Sequence, residues 1–210
     1  MKIAIIKYNA GNIRSVENAL NRIGVSCVVT EDLETIRKAD KVILPGVGEA
    51  SSAMEYLRSK GLDALLTSLK QPVLGICLGQ QLMCISSEEG SPGPKGRSSN
   101  SPLGAGGQTN CLGIFNTIVR LFPPKDIVPQ MGWNNISKTK GPLFKGLNES
   151  DNVYFVHSYY AELCENTVAE CDYIIPFSAA LQKNNFYATQ FHPEKSGKVG
   201  ETILSNFLEL

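Results

Sequence analysis

Cys77 stands between two glycines, in Gly75-Ile76-Cys77-Leu78-Gly79, after the apolar run Pro72-Val73-Leu74 and before a helical pattern through Gln80, Gln81, Leu82 and Met83. A nucleophile flanked in this way sits on a sharp strand-to-helix elbow that lifts its side chain above the sheet edge. The glycines are required because the turn is tight and side chains there would run into neighbouring strands. At a helix N-terminus the thiol meets the positive end of the helix dipole and unpaired N–H groups, which favour thiolate. The plainer alternative is a buried cysteine that happens to fall between two glycines.

A nucleophilic thiol needs a base, and the chain has two histidines, His157 and His192. His192 lies in Gln190-Phe191-His192-Pro193-Glu194 at the end of a late strand-like run. In extended geometry residues two apart face the same way, so His192 and Glu194 project together, with Pro193 stiffening the backbone between them. A carboxylate there could hold the imidazole's tautomer and stabilise its charged form, as the third member of a triad does. A turn with a solvated His and Glu is the competing reading. His157, inside the apolar run Val153-Tyr154-Phe155-Val156, reads as a packed histidine with local hydrogen bonds.

A third element is Pro45-Gly46-Val47-Gly48. Glycines at a strand end let backbone N–H groups approach a ligand, and an oxyanion hole needs two such donors. The N–H of Leu78, following the thiol, is one candidate, and that of Val47 is the other.

The elements that must hold these groups alternate through the first half. Residues 3–6 read as a buried strand. A helix follows with apolar positions Ile13, Val16, Leu20 and Ile23, stopped by Gly24. Residues 25–29 and 42–44 read as strands, separated by a short helix over 33–38, and helical stretches cover 50–70 with a break at Gly61. This alternation predicts a parallel sheet covered on both faces, with ligands outside the carboxyl ends of its strands. The second half is richer in strands, over 117–122, 153–156, 167–171, 178–181 and 186–191, before a closing helix over 198–208. Residues 91–108 are dominated by Ser, Gly and Pro, read as an insertion loop, and leave the chain otherwise as one domain over 1–210.

Lys plus Arg and Asp plus Glu are 20 each, so no net field draws the chain to nucleic acid or to a membrane. Six cysteines without a C-x-x-C pair suit a reducing compartment, and the apolar N-terminal run is too short for a secretory signal. The expectation is a cytoplasmic protein.

Cys77 in its Gly-flanked pentapeptide, Gln81 four residues on, and Gln190-Phe191-His192-Pro193-Glu194 together resemble the class I glutamine amidotransferases. Three further stretches narrow the resemblance: Asn9-Ala10-Gly11-Asn12-Ile13-Arg14-Ser15-Val16, Pro45-Gly46-Val47-Gly48, and Pro129-Gln130-Met131-Gly132-Trp133-Asn134. With His192-Pro193-Glu194-Lys195-Ser196 they look like the glutaminase subunit of imidazole glycerol phosphate synthase, of histidine biosynthesis. The resemblance covers nearly the whole chain apart from 91–108. It implies an α/β, flavodoxin-like three-layer sandwich with a mostly parallel central sheet and additional antiparallel strands in the C-terminal half.

It also implies roles. Cys77, His192 and Glu194 would form the triad that hydrolyses glutamine, with Val47 and Leu78 supplying the oxyanion hole. Gly46, Gly48, Gln81, Ser158 and Tyr159 would bind substrate. No cofactor and no metal is implied. Ammonia would pass to a (β/α)8-barrel cyclase subunit in a heterodimer, with Trp133, Asn134, Tyr154 and Lys195 on the interface side and low activity expected of the subunit alone. The chain departs from the family at Lys7-Tyr8-Asn9, where Asp-Tyr-Gly is usual, and at the 91–108 stretch. The alternatives are the glutaminase of another amidotransferase, a non-catalytic binding module on the same fold, or a cysteine peptidase or esterase, which would leave Gln81 and the Met-Gly-Trp-Asn element unexplained.

Overall fold

In the computed structural model, residues 1–90, 107–148 and 150–210 are described; the 91–108 loop reading falls almost wholly outside them. The first half runs β1 (Ile3–Ile6), α1 (Ile13–Arg22), β2 (Val28–Thr30), α2 (Leu33–Arg37), β3 (Lys41–Leu44), α3 (Ala50–Ser59), α4 (Leu62–Ser68), β4 (Val73–Ile76) and α5 (Leu78–Met83). Short strands β5 (Ser86–Ser87), β6 (Thr109–Asn110) and β7 (Ile118–Leu121) follow. Then come β8 (Gln130–Asn135), β9 (Asn152–His157), β10 (Tyr159–Ala161), β11 (Thr167–Tyr173), β12 (Ile175–Lys183), β13 (Phe186–Thr189) and α6 (Gly197–Leu208).

The main sheet has the order β11-β12-β13-β4-β3-β1-β2. From β2 to β13 every pairing is parallel, while β13-β12 and β12-β11 are antiparallel. The inner strands β1, β3, β4 and β13 are buried along their whole length, because helices cover both faces. One layer of core joins Met54, Leu57, Leu62, Leu66 and Leu82 to the sheet, and the other joins Val16, Leu20, Ile203, Leu204 and Phe207. The parallel sheet covered on both faces is what the alternating pattern predicts, and the flavodoxin-like order with added antiparallel strands is what the family resemblance implies.

Local signals set several boundaries. In α1, Val16, Ala19 and Leu20 are buried, the spacing of one helical face. Gly61 adopts φ 68° between α3 and α4, a left-handed conformation that a glycine takes without steric strain. The second strand is shorter and later than residues 25–29, starting only at Val28, because it is the sheet's edge and, among the described residues, pairs only with β1.

Two smaller sheets lie beside the main one. β10, β7, β5 and β6 form one, and β8 pairs antiparallel with β9 in the other. The Met-Gly-Trp-Asn element is therefore a strand, which its glycine and polar residues had concealed. Beneath these sheets Phe122, Phe155, Tyr160 and Phe177 pack with ring centroids 4.7–6.2 Å apart. Each fully buried aromatic of this kind stabilises the fold by about 1.5–3 kcal/mol. No helix among the described residues is long and apolar enough to cross a membrane.

Candidate active site

Cys77 is the joint between β4 and α5, with φ 54° and ψ −104°. A non-glycine residue in this region is strained and persists only where its surroundings enforce it. Here the Cys77 N–H donates to Thr189 O at 2.7 Å, and the N–H of Gln81 returns to Cys77 O at 3.2 Å. The flanking glycines are demanded by close approach. A Cβ on Gly79 would lie 2.0 Å from the carbonyl oxygen of Leu44 in the neighbouring strand, and one on Gly75 would lie 2.8 Å from the backbone of Gly79 itself. The first clash is with a strand, as the tight turn predicts; the second is with the helix that the elbow launches.

His192 leaves the end of β13, wholly buried, with its Nδ1 2.7 Å from Glu194 Oε1. The geometry differs from two residues of an extended strand. Pro193 opens a short 3-10 turn over Pro193–Lys195, and the carboxylate folds back onto the ring across that turn. Proline suits the first position of a helical turn because its fixed φ fits and its missing N–H would be unpaired there anyway. The turn is tied to β9: the His192 N–H donates to Tyr154 O at 2.9 Å, and the Tyr154 N–H donates to Ser196 Oγ at 3.0 Å.

A residue outside the predicted set completes this end of the site. Asn12, at φ 74° before α1, donates from Nδ2 to Glu194 Oε1 at 2.5 Å. Asparagine is among the few residues that enter the left-handed region readily, which is the signal its Gly11-Asn12 context carried. Glu194 Oε2 and His192 Nε2 are buried with no hydrogen-bond partner among the described residues. With Nδ1 committed to the carboxylate, Nε2 is the nitrogen left for chemistry.

Burial alone would push the His192 imidazolium toward neutrality. The charge of Cys77, together with the hydrogen-bonded carboxylate of Glu194, outweighs that, and its pKa is raised to about 10. The thiol and the imidazole thus couple electrostatically, although Sγ is not in hydrogen-bond geometry with the ring. Sγ instead lies 3.9 Å from Val156 O and 3.7 Å from the side-chain amide of Gln190.

Cys77 opens into a cleft lined by Val47, Gly48, Leu78, Gln81, Glu89, Val156, His157, Ser158 and Tyr159. Gln81 donates to Tyr159 O at 2.9 Å and to Gln190 Oε1 at 3.0 Å, so both its N–H bonds are used and its own carbonyl remains for a ligand. The carbonyl oxygens of Ser158 and Tyr159 are likewise engaged, by Phe122 N–H and Gln81. Glu89 was missed in the sequence because it abuts the low-complexity stretch; burial raises its pKa and the neighbouring Glu49 adds to this, against a hydrogen bond from Ala50 N–H.

The two oxyanion donors are not brought together. Leu78 N–H donates to Gly46 O at 3.3 Å. Gly46 C=O and Val47 N–H belong to one trans peptide and point oppositely, so while the carbonyl faces Leu78 the Val47 N–H faces away. Tyr8 holds this loop, donating to Pro45 O at 2.6 Å, and Gly11 N–H donates to Val47 O at 3.2 Å. A Cβ on Gly46 would lie 2.0 Å from the Tyr8 hydroxyl.

Trp133, Asn134, Tyr154 and Lys195 gather at the β8–β9 hairpin, outside the cleft. Trp133 is 58 % exposed and meets the Tyr154 ring edge-on at 5.9 Å, with Lys195 Nζ 5.9 Å from the same ring. Asn134 donates to Asp172 O at 3.3 Å. Met131 beside them is 66 % exposed.

With this geometry established, comparison with known proteins assigns the family. The model of the class-I glutamine amidotransferases matches residues 4–210. The chain belongs to that family. It is 56 % identical over 213 residues, covering all of both chains, to the imidazole glycerol phosphate synthase subunit HisH of Bacteroides thetaiotaomicron. It is 44 % identical to the corresponding HisH of Shewanella loihica, over 98 % of this chain and 89 % of that one. The fold is also similar to PurLQS from Thermotoga maritima, with a TM-score of 0.69 at 13 % identity, over 99 % of this chain and 97 % of that one.

Proposed function

We propose that this amidotransferase is the glutaminase subunit of an imidazole glycerol phosphate synthase. It hydrolyses glutamine to glutamate and ammonia and passes the ammonia to a (β/α)8-barrel cyclase subunit, in histidine biosynthesis and in the cytoplasm. The observation that carries the reading is a buried imidazole paired at 2.7 Å with a carboxylate, beside an elbow thiol that opens on a cleft also lined by Glu89.

The chemistry follows from those groups. Sulfur attacks the carboxamide carbon and the carbonyl electron pair moves to oxygen. Collapse breaks the C–N bond, and the departing nitrogen takes the proton from His192 Nε2 to leave as ammonia, giving a thioester. Neutral His192 then accepts a proton from water, whose oxygen attacks the thioester and expels the thiolate. Glu194 and Asn12 hold the ring so that Nε2 faces the reaction throughout. Glu89 matches the substrate's α-ammonium, and Gln81 Oε1 accepts from a substrate N–H.

The oxyanion needs donors, each typically worth about 3 kcal/mol. Rotating the single peptide between Gly46 and Val47 would release Leu78 N–H and turn Val47 N–H inward, creating both donors in one movement. A partner that favours the rotated loop would thereby switch glutaminase activity on. The exposed Trp133 and Met131, with the half-buried Tyr154 beside them, suit its docking, since buried aromatic anchors dominate interface energies. Tyr154 joins that surface to the His192 turn by two hydrogen bonds, its carbonyl accepting from His192 N–H and its N–H donating to the Ser196 hydroxyl.

The test is glutamate release by the chain alone, with a barrel cyclase subunit, and with that subunit and its nucleotide ligand. Low activity alone, strong stimulation by the liganded partner and none in Cys77→Ala are expected. High turnover by the isolated chain would overturn partner gating, and stimulation by a different synthase but not by the cyclase would overturn the assignment.

A further inference from the structure

His192 is not the only side chain that this strand end turns toward sulfur. Gln190, two residues earlier, is fully buried, and its backbone N–H is fixed by Ala179 O at 2.8 Å. Its Oε1 accepts from Gln81 Nε2 at 3.0 Å, and its Nε2 lies 3.7 Å from Cys77 Sγ. The orientation of the amide is set by this network. Gln81 presents a donor, so the Gln190 oxygen must face it and the NH2 group must face sulfur.

We propose that Gln190 is a further catalytic residue: its amide donates a hydrogen bond to the Cys77 thiolate, while its carbonyl holds Gln81 at the substrate cleft. The proposal rests on Cys77 being the nucleophile. A donor aimed at the ionised form favours that form. Unlike His192, an amide supplies its donor at every working pH, so the thiolate keeps one partner even after the imidazolium has given up its proton. That matters when the thioester is cleaved and sulfur must leave as an anion. The same residue links the group expected to contact substrate with the atom that attacks it.

Other titratable groups face Cys77 and bear on its ionisation. His192, with Glu194 bonded behind it, comes from the segment after β13, Tyr8 from just beyond β1, His157 from β9, and Glu89 from beyond β5. The test must therefore change the amide and leave these in place. Gln190→Met preserves length and removes the donor; Gln190→Glu keeps an acceptor for Gln81 but turns a charge toward sulfur.

The measurement is the pH dependence of iodoacetamide alkylation at Cys77 in the full chain, read by mass spectrometry of the Cys77 peptide. The alkylation midpoint should rise by about one pH unit in Gln190→Met, a tenfold change in the ionisation constant, and further in Gln190→Glu. With the cyclase subunit present, kcat should fall roughly tenfold, as expected when one hydrogen bond to a charged group is lost. In the wild-type chain, the Gln190 side-chain amide 15N–1H resonance should move as Cys77 ionises and stay fixed in Cys77→Ala, a readout that does not depend on either variant folding. A folded Gln190→Met with an unchanged midpoint, or a wild-type amide resonance blind to the thiol, would overturn the proposal. Retained glutaminase activity in Cys77→Ala would instead overturn the nucleophile assignment on which it rests.

Discussion

The chain's two histidines are both buried, and their surroundings drive them in opposite directions. His192 is raised to about 10 and His157 is lowered to about 4. Desolvation acts against the imidazolium in each. At His192 it is overcome by Cys77 and by Glu194. At His157 it prevails over one hydrogen bond to the Tyr159 carbonyl, and the charge on His192 adds to it. The rings of Phe122, Phe155 and Phe177 lie 5.2–5.6 Å from His157.

His157 Nδ1 is 2.7 Å from Tyr159 O and Nε2 is 3.0 Å from the Gln130 side-chain amide. The atom against Nε2 is Gln130 Oε1, while the Gln130 amide nitrogen faces Cys171 Sγ at 3.9 Å, so both ring nitrogens meet acceptors and a neutral ring can donate to only one of them. Burial by itself, then, does not hold an imidazole charged. An adjacent carboxylate and a sulfur that can carry charge do.

Replacing His192 should produce the largest effect. His192→Asn keeps a polar group but no base, and glutamine hydrolysis with the cyclase subunit should fall by about 1000-fold or more, measured as glutamate formed. An active His192→Asn would erase the distinction between the two rings. Glu194→Gln preserves shape and removes the counter-charge, so His192 should titrate lower and kcat should fall by roughly 100-fold. Imidazole NMR would show whether the His192 transition moved down.

Asn12→Gly keeps the left-handed backbone and deletes only the amide bonded to Glu194. A drop in kcat of roughly tenfold is expected, with KM for glutamine nearly unchanged, and a large KM change would point to a role in binding.

The smallest effect on activity, and the clearest on stability, concerns His157. Its folded pKa lies below the unfolded value of about 6.5, so the unfolded chain binds a proton that the folded chain refuses. Stability from this site is intact above pH 6.5 and declines as pH falls toward 4, by roughly 3 kcal/mol in total. His192 has the opposite sign: its contribution is full below pH 6.5 and is lost as pH climbs through about 10. His157→Gln should therefore flatten the fall of Tm between pH 6.5 and 4 without moving the alkaline side. A Tm profile identical to wild type would mean His157 accepts its proton in the fold.

Much of this was legible because local rules sufficed. The Gly-flanked elbow at Cys77, the alternation of strand and helix, and the Gly61 break each depend on neighbouring residues and on periodicity. The 130–135 strand was not legible, since its glycine and polar residues carry no alternating apolar signal and its stability comes from pairing with β9. The His192–Glu194 contact was expected for the wrong geometry: strand alternation and a 3-10 turn both bring residues two apart together, and only folding distinguishes them.

The sequence by itself determined which chemical groups the protein carries and the order of strands and helices around them, because glycine spacing and apolar period act over a few residues. The tertiary structure alone decided that Asn12, Glu89 and Gln190 belong with Cys77, and that the Gly46 carbonyl occupies the Leu78 donor. These associations join residues 12 to 182 positions apart or depend on the rotation of one peptide. No local pattern encodes such distances, because they are set by how the sheet stacks its strand ends.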